Sequence, residues 1–135
     1  MDLYKTLDIS AAGMRAQGTR LRVISENIAN ANSTGQEPGA EPYRRKTVTF
    51  ANELDRELGA DLVKVKDVVL DMSEFSRRHE PGHPAADPDG YVMLPNVNSL
   101  IEMADMREAQ RTYEANLRVI QSSRTMLEQT IGILR

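Results

Sequence analysis

The stretch NSLIEMADMREAQRTYEANLRVIQSSRTMLEQTIGIL, residues 98–134, decides the fold. Met106, Tyr113, Ile120, Leu127 and Leu134 recur every seven residues along it. Met103, Leu117 and Ile131 fall three residues earlier on a second row, which Gln110 and Arg124 interrupt. An apolar seam with this repeat is the pattern of a coiled-coil helix. At about 1.5 Å per residue the helix would run roughly 50–55 Å, too long to be covered without a second long helix beside it. The two interruptions have two readings. Either the seam tilts and they reach solvent, or they fix register between chains, as a polar seam residue can.

The N-terminus supplies the second helix, over residues 2–31. Leu7, Met14, Leu21 and Ile28 keep the seven-residue spacing, with Leu3, Ile24, Ser10, Ala11, Gln17 and Gly18 on companion positions. Gly13 and Gly18 each cost such a helix about 1 kcal/mol relative to alanine. They serve either close approach of another backbone or a helix that stays loose until a partner arrives. Asn30, Asn32, Ser33, Thr34 and Gly35 then end it.

Between the helices the period changes. Residues 36–42 read as a loop, and 43–50 as extended chain rich in β-branched and aromatic residues. Residues 52–58 are compatible with one or two helical turns. Residues 62–70 make the best strand, with Val63, Val65 and Val69 alternating against Lys64 and Lys66. The proline-rich 77–89 reads as loop, Asp87-Pro88-Asp89-Gly90 as a type I turn, and 91–94 as a short strand. Asn98 or Ser99 would cap the last helix. The expected fold is mainly α with a small β-rich insert: long N- and C-terminal helices paired as a coiled coil (1–35 plus 97–135) and a loop- and β-rich outer part (36–96).

Composition narrows the function. A net charge of −3 with interspersed signs argues against nucleic-acid binding, and Arg44-Arg45-Lys46 is too short a basic run to reverse that. Cysteine is absent, which removes disulfides, thiol chemistry and Cys-ligated zinc. The first twenty residues hold no apolar signal-peptide core, and no stretch reaches the ~20 apolar residues of a membrane span. His79-Glu80-Pro81-Gly82-His83 spells a zinc-protease motif, but that chemistry needs both histidines a turn apart on one helix, which Pro81 and Gly82 oppose. Asp87, Asp89 and Gly90 resemble a fragment of a calcium loop whose other ligands are missing. Asn32-Ser33-Thr34 fits a glycosylation sequon, a pattern that arises often by chance. No catalytic set, cofactor or metal site emerges, so the chain does not read as an enzyme.

Two amphipathic helices with imperfect seams leave apolar surface in water, which points to packing against copies of the chain or similar chains. The subunit-interface candidates are Leu7, Met14, Leu21, Ile24, Ile28, Met106, Tyr113, Leu117, Ile120, Leu127 and Ile131. The competing reading is a soluble helical adaptor or export chaperone that holds one client.

Several motifs carry a resemblance. Leu7-Asp8-Ile9-Ser10-Ala11-Ala12-Gly13-Met14 and Ser25-Glu26-Asn27-Ile28-Ala29-Asn30-Ala31-Asn32-Ser33-Thr34-Gly35 resemble the N-terminal motif of flagellar rod and hook proteins. Tyr43-Arg44-Arg45-Lys46, Asp89-Gly90-Tyr91-Val92-Met93, Pro95-Asn96-Val97-Asn98 and Tyr113-Glu114-Ala115-Asn116 narrow it to the basal-body rod branch. Asn27, Asn30, Thr34, Gly35, Tyr113 and Asn116 are its motif residues. The resemblance implies a structural subunit of the proximal rod, exported unfolded by the flagellar type III apparatus without a cleaved signal. It also implies helical polymerisation in the periplasm with copies of itself, other proximal and distal rod subunits and the protein joining rod to export apparatus. In that family the terminal helices form the coiled-coil core around the channel of a torque-bearing shaft.

Overall fold

The computed structural model describes residues 2–133, so Leu134 of the seven-residue series lies outside the described residues. The elements run α1 (Leu3–Ala29), β1 (Lys46–Asp55), β2 (Ala60–Leu70), β3 (Ser76–His79), β4 (Tyr91–Leu94) and α2 (Ser99–Ile133). Two long helices thus flank two small two-stranded sheets, β1–β2 and β3–β4. The chain divides into two compact units. One takes residues 1–21, 48–67 and 107–135, the other residues 22–47 and 68–106.

Both helix starts follow from their caps. Asp2 Oδ1 accepts the backbone N–H of Lys5 at 3.3 Å. Asn98 Oδ1 accepts those of Leu100 and Ile101 at 3.0 and 3.4 Å, which settles the second cap on Asn98. Two parts of the insert depart from the sequence reading. Residues 52–55 continue β1 and 56–59 form its turn, so no helical turn occurs there. Asp55 Oδ1 takes the N–H groups of Glu57 and Leu58, and Gly59 closes the turn at φ 58°, a left-handed conformation suited to glycine. Residues 76–79 form β3 rather than loop. It runs antiparallel to β4 with Ser76 opposite Leu94 and His79 opposite Tyr91. Arg77, Arg78 and His79 hid that strand, because its side chains are exposed and show no apolar alternation.

In the first unit, α1 is covered on two adjacent faces. On one lies the β1–β2 hairpin. Lys5 Nζ donates to Gly59 O at 3.3 Å, and Ala12, Arg15, Ala16 and Thr19 line a cleft of about 150 Å³ with residues 62–65. On the other lies α2, with Asn116 over Gly13 and Arg20 paired to Glu108 at 3.5 Å. Seven residues forward on α1 are met eight residues back on α2, so these helical segments run antiparallel. Here the buried residues of α2 are Ala109 and Ser123, one heptad apart on either side of Asn116. The row three residues behind Met106, Tyr113 and Ile120 is therefore not the covered one. Met103, Gln110, Leu117, Arg124 and Ile131 are exposed. The row three residues ahead packs inward instead, because small side chains let the helices approach.

In the second unit Val23, Ile24 and Asn27 of α1, Ala85, Val92 of β4 and Glu102 of α2 are buried. The Arg44 guanidinium lies 4.2 Å from the centre of the Phe75 ring.

The two α1 glycines separate the readings offered for them. A Cβ at Gly13 would sit 2.8 Å from Asn116 Nδ2, while one at Gly18 would meet nothing within 4 Å. Gly18→Ala should therefore raise the stability of the purified chain by up to about 1 kcal/mol. Gly13→Ala should fall short of that gain, because Asn116 must move. Urea unfolding followed by far-UV circular dichroism measures both.

Candidate functional site: a buried polar cluster and uncovered helix faces

The second unit is built around polar side chains. Asn27 and Glu102 are each only 1 % exposed, and both are fully engaged. Asn27 Oδ1 accepts from Tyr43 Oη at 2.8 Å and from Lys46 N–H at 2.9 Å. Its Nδ2 donates to Lys46 O at 2.8 Å and Glu102 Oε2 at 3.1 Å. One amide thus holds the chain entering β1 with three hydrogen bonds, two of them to the Lys46 backbone in the manner of a strand partner, and ties it to α2 with a fourth. A buried carboxylate persists only when its charge is met. Arg45 meets it, with Nε on Glu102 Oε1 at 2.5 Å and the rest of the guanidinium 3.4 Å from Asp71 and 3.8 Å from Asp105.

Backbone and amide contacts fix Arg45. Its N–H donates to Asn96 Oδ1 at 2.8 Å, and its carbonyl accepts from Asp71 N–H at 2.8 Å. Asn96 Nδ2 reaches Asp71 O and Ser73 Oγ, both at 2.9 Å. Arg44 Nη1 spans the carbonyls of Asp71 and Ser73 at 3.1 and 3.2 Å. Lys46 Nζ pairs with Glu26. The basic run Arg44-Arg45-Lys46 is thus three cations, each with its own partner.

Titration follows the same contacts. Burial, then the charges of Glu26 and Glu102, push the Tyr43 phenol above its ordinary value, so it stays a donor to Asn27. Burial acts to lower the Arg45 value, but the hydrogen bonds and charges of Glu102 and Asp71 outweigh it and raise it. Hydrogen bonds from Ser73, first its N–H and then its hydroxyl, hold Asp71 below the usual carboxylate range. Burial opposes this, and Arg45 adds to it.

The sequence-predicted residues distribute over several roles. Ile24 and Asn27 are buried; Leu7, Met14, Leu21, Ile28, Met106, Tyr113, Asn116, Ile120 and Leu127 are half-buried; Leu117 and Ile131 are exposed. Asn30 Nδ2 donates back to Glu26 O at 2.9 Å, and Ser33 Oγ to Asn30 O at 2.9 Å, closing the end of α1. Thr34 is half-buried. Gly35 lies so near Ala40 that a Cβ would meet its carbonyl at 2.7 Å. Glu102 and Asp71 escaped the sequence reading, and Arg45 and Asn96 entered it only as members of the motifs that carry the resemblance. The signal for Glu102 was faint: a single acidic residue in the first turn of a helix, which is ordinary on its own.

Uncovered apolar side chains form their largest group on α2, where Leu100, Ile101, Met103, Leu117, Val119, Met126, Ile131 and Ile133 are exposed, and a second on the strands and their ends, including Phe50, Leu54, Val68, Val69, Leu70 and Met72. The histidines are occupied locally. The His79 ring stands edge-on to Tyr91 at 5.0 Å, and His83 Nδ1 accepts the Ala85 N–H at 3.0 Å. Asp87 Oδ1 accepts the N–H groups of Asp89 and Tyr91, shaping the β3–β4 loop. Among the described residues no three His, Asp or Glu side chains are placed to hold a metal ion, and no helix is long and apolar enough to cross a membrane.

Removing Glu102 as Glu102→Ala leaves Arg45 without its main partner, and a loss of about 3–5 kcal/mol is expected in urea unfolding. Asp71 adds a pH dependence. Its folded value is depressed, so its stabilisation is present above the ordinary carboxylate value near pH 4 and disappears as pH falls through the folded value. Unfolding midpoints taken across acid pH should fall in that window, and less steeply in Asp71→Asn.

Comparison with known proteins agrees with these motifs. Residues 7–35 match the family described as flagella basal body rod protein, and residues 89–133 the C-terminal family of flagellar basal body rod FlgEFG proteins. The chain is 57 % identical over 127 residues to the flagellar basal-body rod protein FlgC of Agrobacterium fabrum, covering 94 % of this chain and 91 % of that one. It is 38 % identical to the FlgC of Borreliella burgdorferi, covering 100 % and 99 %. To that of Bacillus subtilis it is 33 % identical, covering 98 % and 99 %. Similarity of this extent, from the first turns of α1 through α2, places the chain in the FlgC family of flagellar basal-body rod proteins, structural components rather than enzymes.

Proposed function

We propose that the chain polymerises helically, with copies of itself and with other rod subunits, into the proximal rod of the flagellar basal body. That shaft carries motor torque across the periplasm and encloses the export channel. The observation that carries this reading is the uncovered apolar row Met103, Leu117 and Ile131 on α2, beside a first row already used within the chain. A helix with two apolar rows wants two partners, and one chain supplies only α1.

In the polymer, residues 1–35 and 97–135 form the inner coiled-coil core, and residues 36–96 pack outside it. Leu7, Met14, Leu21, Ile24, Ile28, Met106, Tyr113, Ile120 and Leu127, half-buried or buried in one chain, complete their burial against neighbours. The small and polar helix contact through Gly13, Asn116, Ala109 and Ser123 suits this route, because it gives little apolar burial to a lone chain. The terminal helices can then pass unfolded through the type III export apparatus and order on docking to the rod and its junction protein.

Mass spectrometry on purified hook–basal bodies, with deletion of the gene as control, tests the assignment. The chain should be present, and deletion should abolish rod, hook and filament. Absence of the chain from the particle with flagella intact would sink it and favour the adaptor reading. A sharper prediction separates folding from assembly. Leu117→Asp should leave the far-UV spectrum and urea midpoint of the purified chain nearly unchanged yet block incorporation into the rod, whereas Ile120→Asp should damage both.

A further inference from the structure

The first unit carries two uncovered surfaces of opposite charge that one chain cannot bring together. Around the β1–β2 turn Glu57 and Asp61 are exposed and Asp55 is half-buried, with Glu53 already paired to Lys64 at 2.7 Å and with Arg56 and Lys5, whose Nζ donates to Gly59 O, as the cations beside them. Leu54 stands among these carboxylates, 61 % exposed, with no apolar cover. Along α2, Arg107, Arg111 and Arg118 are exposed, and among the described residues none of them makes an ion pair. Together with Glu108, Gln110 and Glu114, the first two line a shallow groove of about 500 Å³. Arginine stems give such a groove apolar walls beneath a charged rim.

We propose that the hairpin turn of one copy docks on this arginine strip of a second copy, with Leu54 between the arginine stems and Glu57 and Asp61 facing Arg111 and Arg118. The inference rests on the polymer reading above and names one of its contacts. Its occupant follows from charge and from helix geometry. At 100° per residue, Arg107, Arg111 and Arg118 stand on the side of α2 opposite the buried Ala109, Asn116 and Ser123 row, and so face away from α1. The hairpin of the same chain is held on α1 by Lys5 and the Ala12–Ala16 face, so it cannot reach the strip. Donor and acceptor are different patches of one molecule. Such a contact is heterologous and, when it does not close, generates an open helix rather than a dimer. Exposed charge pairs contribute little affinity; here they select orientation, while Leu54 and the arginine stems supply the burial.

The absence of cysteine makes the test clean. Leu54→Cys and Glu114→Cys are placed together in the full chain, expressed in cells lacking the native copy, and hook–basal bodies are oxidised. The double variant should give a ladder of disulfide-linked copies, and neither single variant should. Arg111→Glu with Arg118→Glu should abolish the ladder and motility, and adding Glu57→Arg and Asp61→Arg should restore both. A chain present in the particle without a ladder overturns the docking while leaving the rod assignment standing, and so does an adduct to a different rod protein. Absence of even the wild-type chain from the particle overturns both. If only the cysteine variants fail to incorporate, the charge swap decides: rescue supports the contact and failure of rescue overturns it.

Discussion

The second unit depends on one buried carboxylate. Glu102 sits in the first turn of α2, out of water, and is tolerable there only because Arg45 and the Asn27 amide meet both of its oxygens. Each of those partners comes from a different part of the chain. Asn27 is near the end of α1, Arg45 is at the entry to β1, and Asn96 precedes α2 and holds the Arg45 N–H. The requirement to neutralise one charge therefore ties four segments to one point. Apolar packing alone would do this poorly here, since the buried apolar side chains of this unit are few and small. Hydrogen-bond geometry is directional where hydrophobic contact is not, so this cluster fixes angles as well as proximity.

The first unit follows another rule. Its helices meet through Gly13, Asn116, Ala109 and Ser123, and its hairpin rests on Ala12 and Ala16. Such contacts bring backbones close but bury little apolar area. A lone chain consequently gains little from closing this unit, while its larger apolar side chains on α2 stay in water. That imbalance is costly for a monomer, and in the proposed polymer a neighbour covering the exposed row would supply the missing burial.

The existence and extent of both long helices were legible in residue spacing, because a seven-residue repeat survives whatever the partner is. The first row of α2, Met106, Tyr113, Ile120 and Leu127, was legible for the same reason. Its companion row was not. Apolarity favoured Met103, Leu117 and Ile131, yet the covered row is Ala109, Asn116 and Ser123 in the first unit, where close helix approach favours small side chains, and Glu102 in the second, where Arg45 and Asn27 meet its charge. The strand at 76–79 was hidden by its arginines, and residues 52–55 by the lack of any period in an exposed ribbon.

Sequence by itself determined the helix–insert–helix order, the turn at Asp87 to Gly90 and the family signature, all of which are set by neighbours within a few residues or by periodicity. Tertiary structure alone decided which row of α2 faces inward, that Asn27 serves as a strand partner, and that Arg44, Arg45 and Lys46 are each paired rather than solvated. Those outcomes depend on distant residues meeting in space, 19 positions apart for Asn27 and Lys46, 75 for Asn27 and Glu102 and 88 for Arg20 and Glu108. Pairing across such distances leaves no local pattern in the chain, since a buried glutamate and a surface one are the same letter until their surroundings are built.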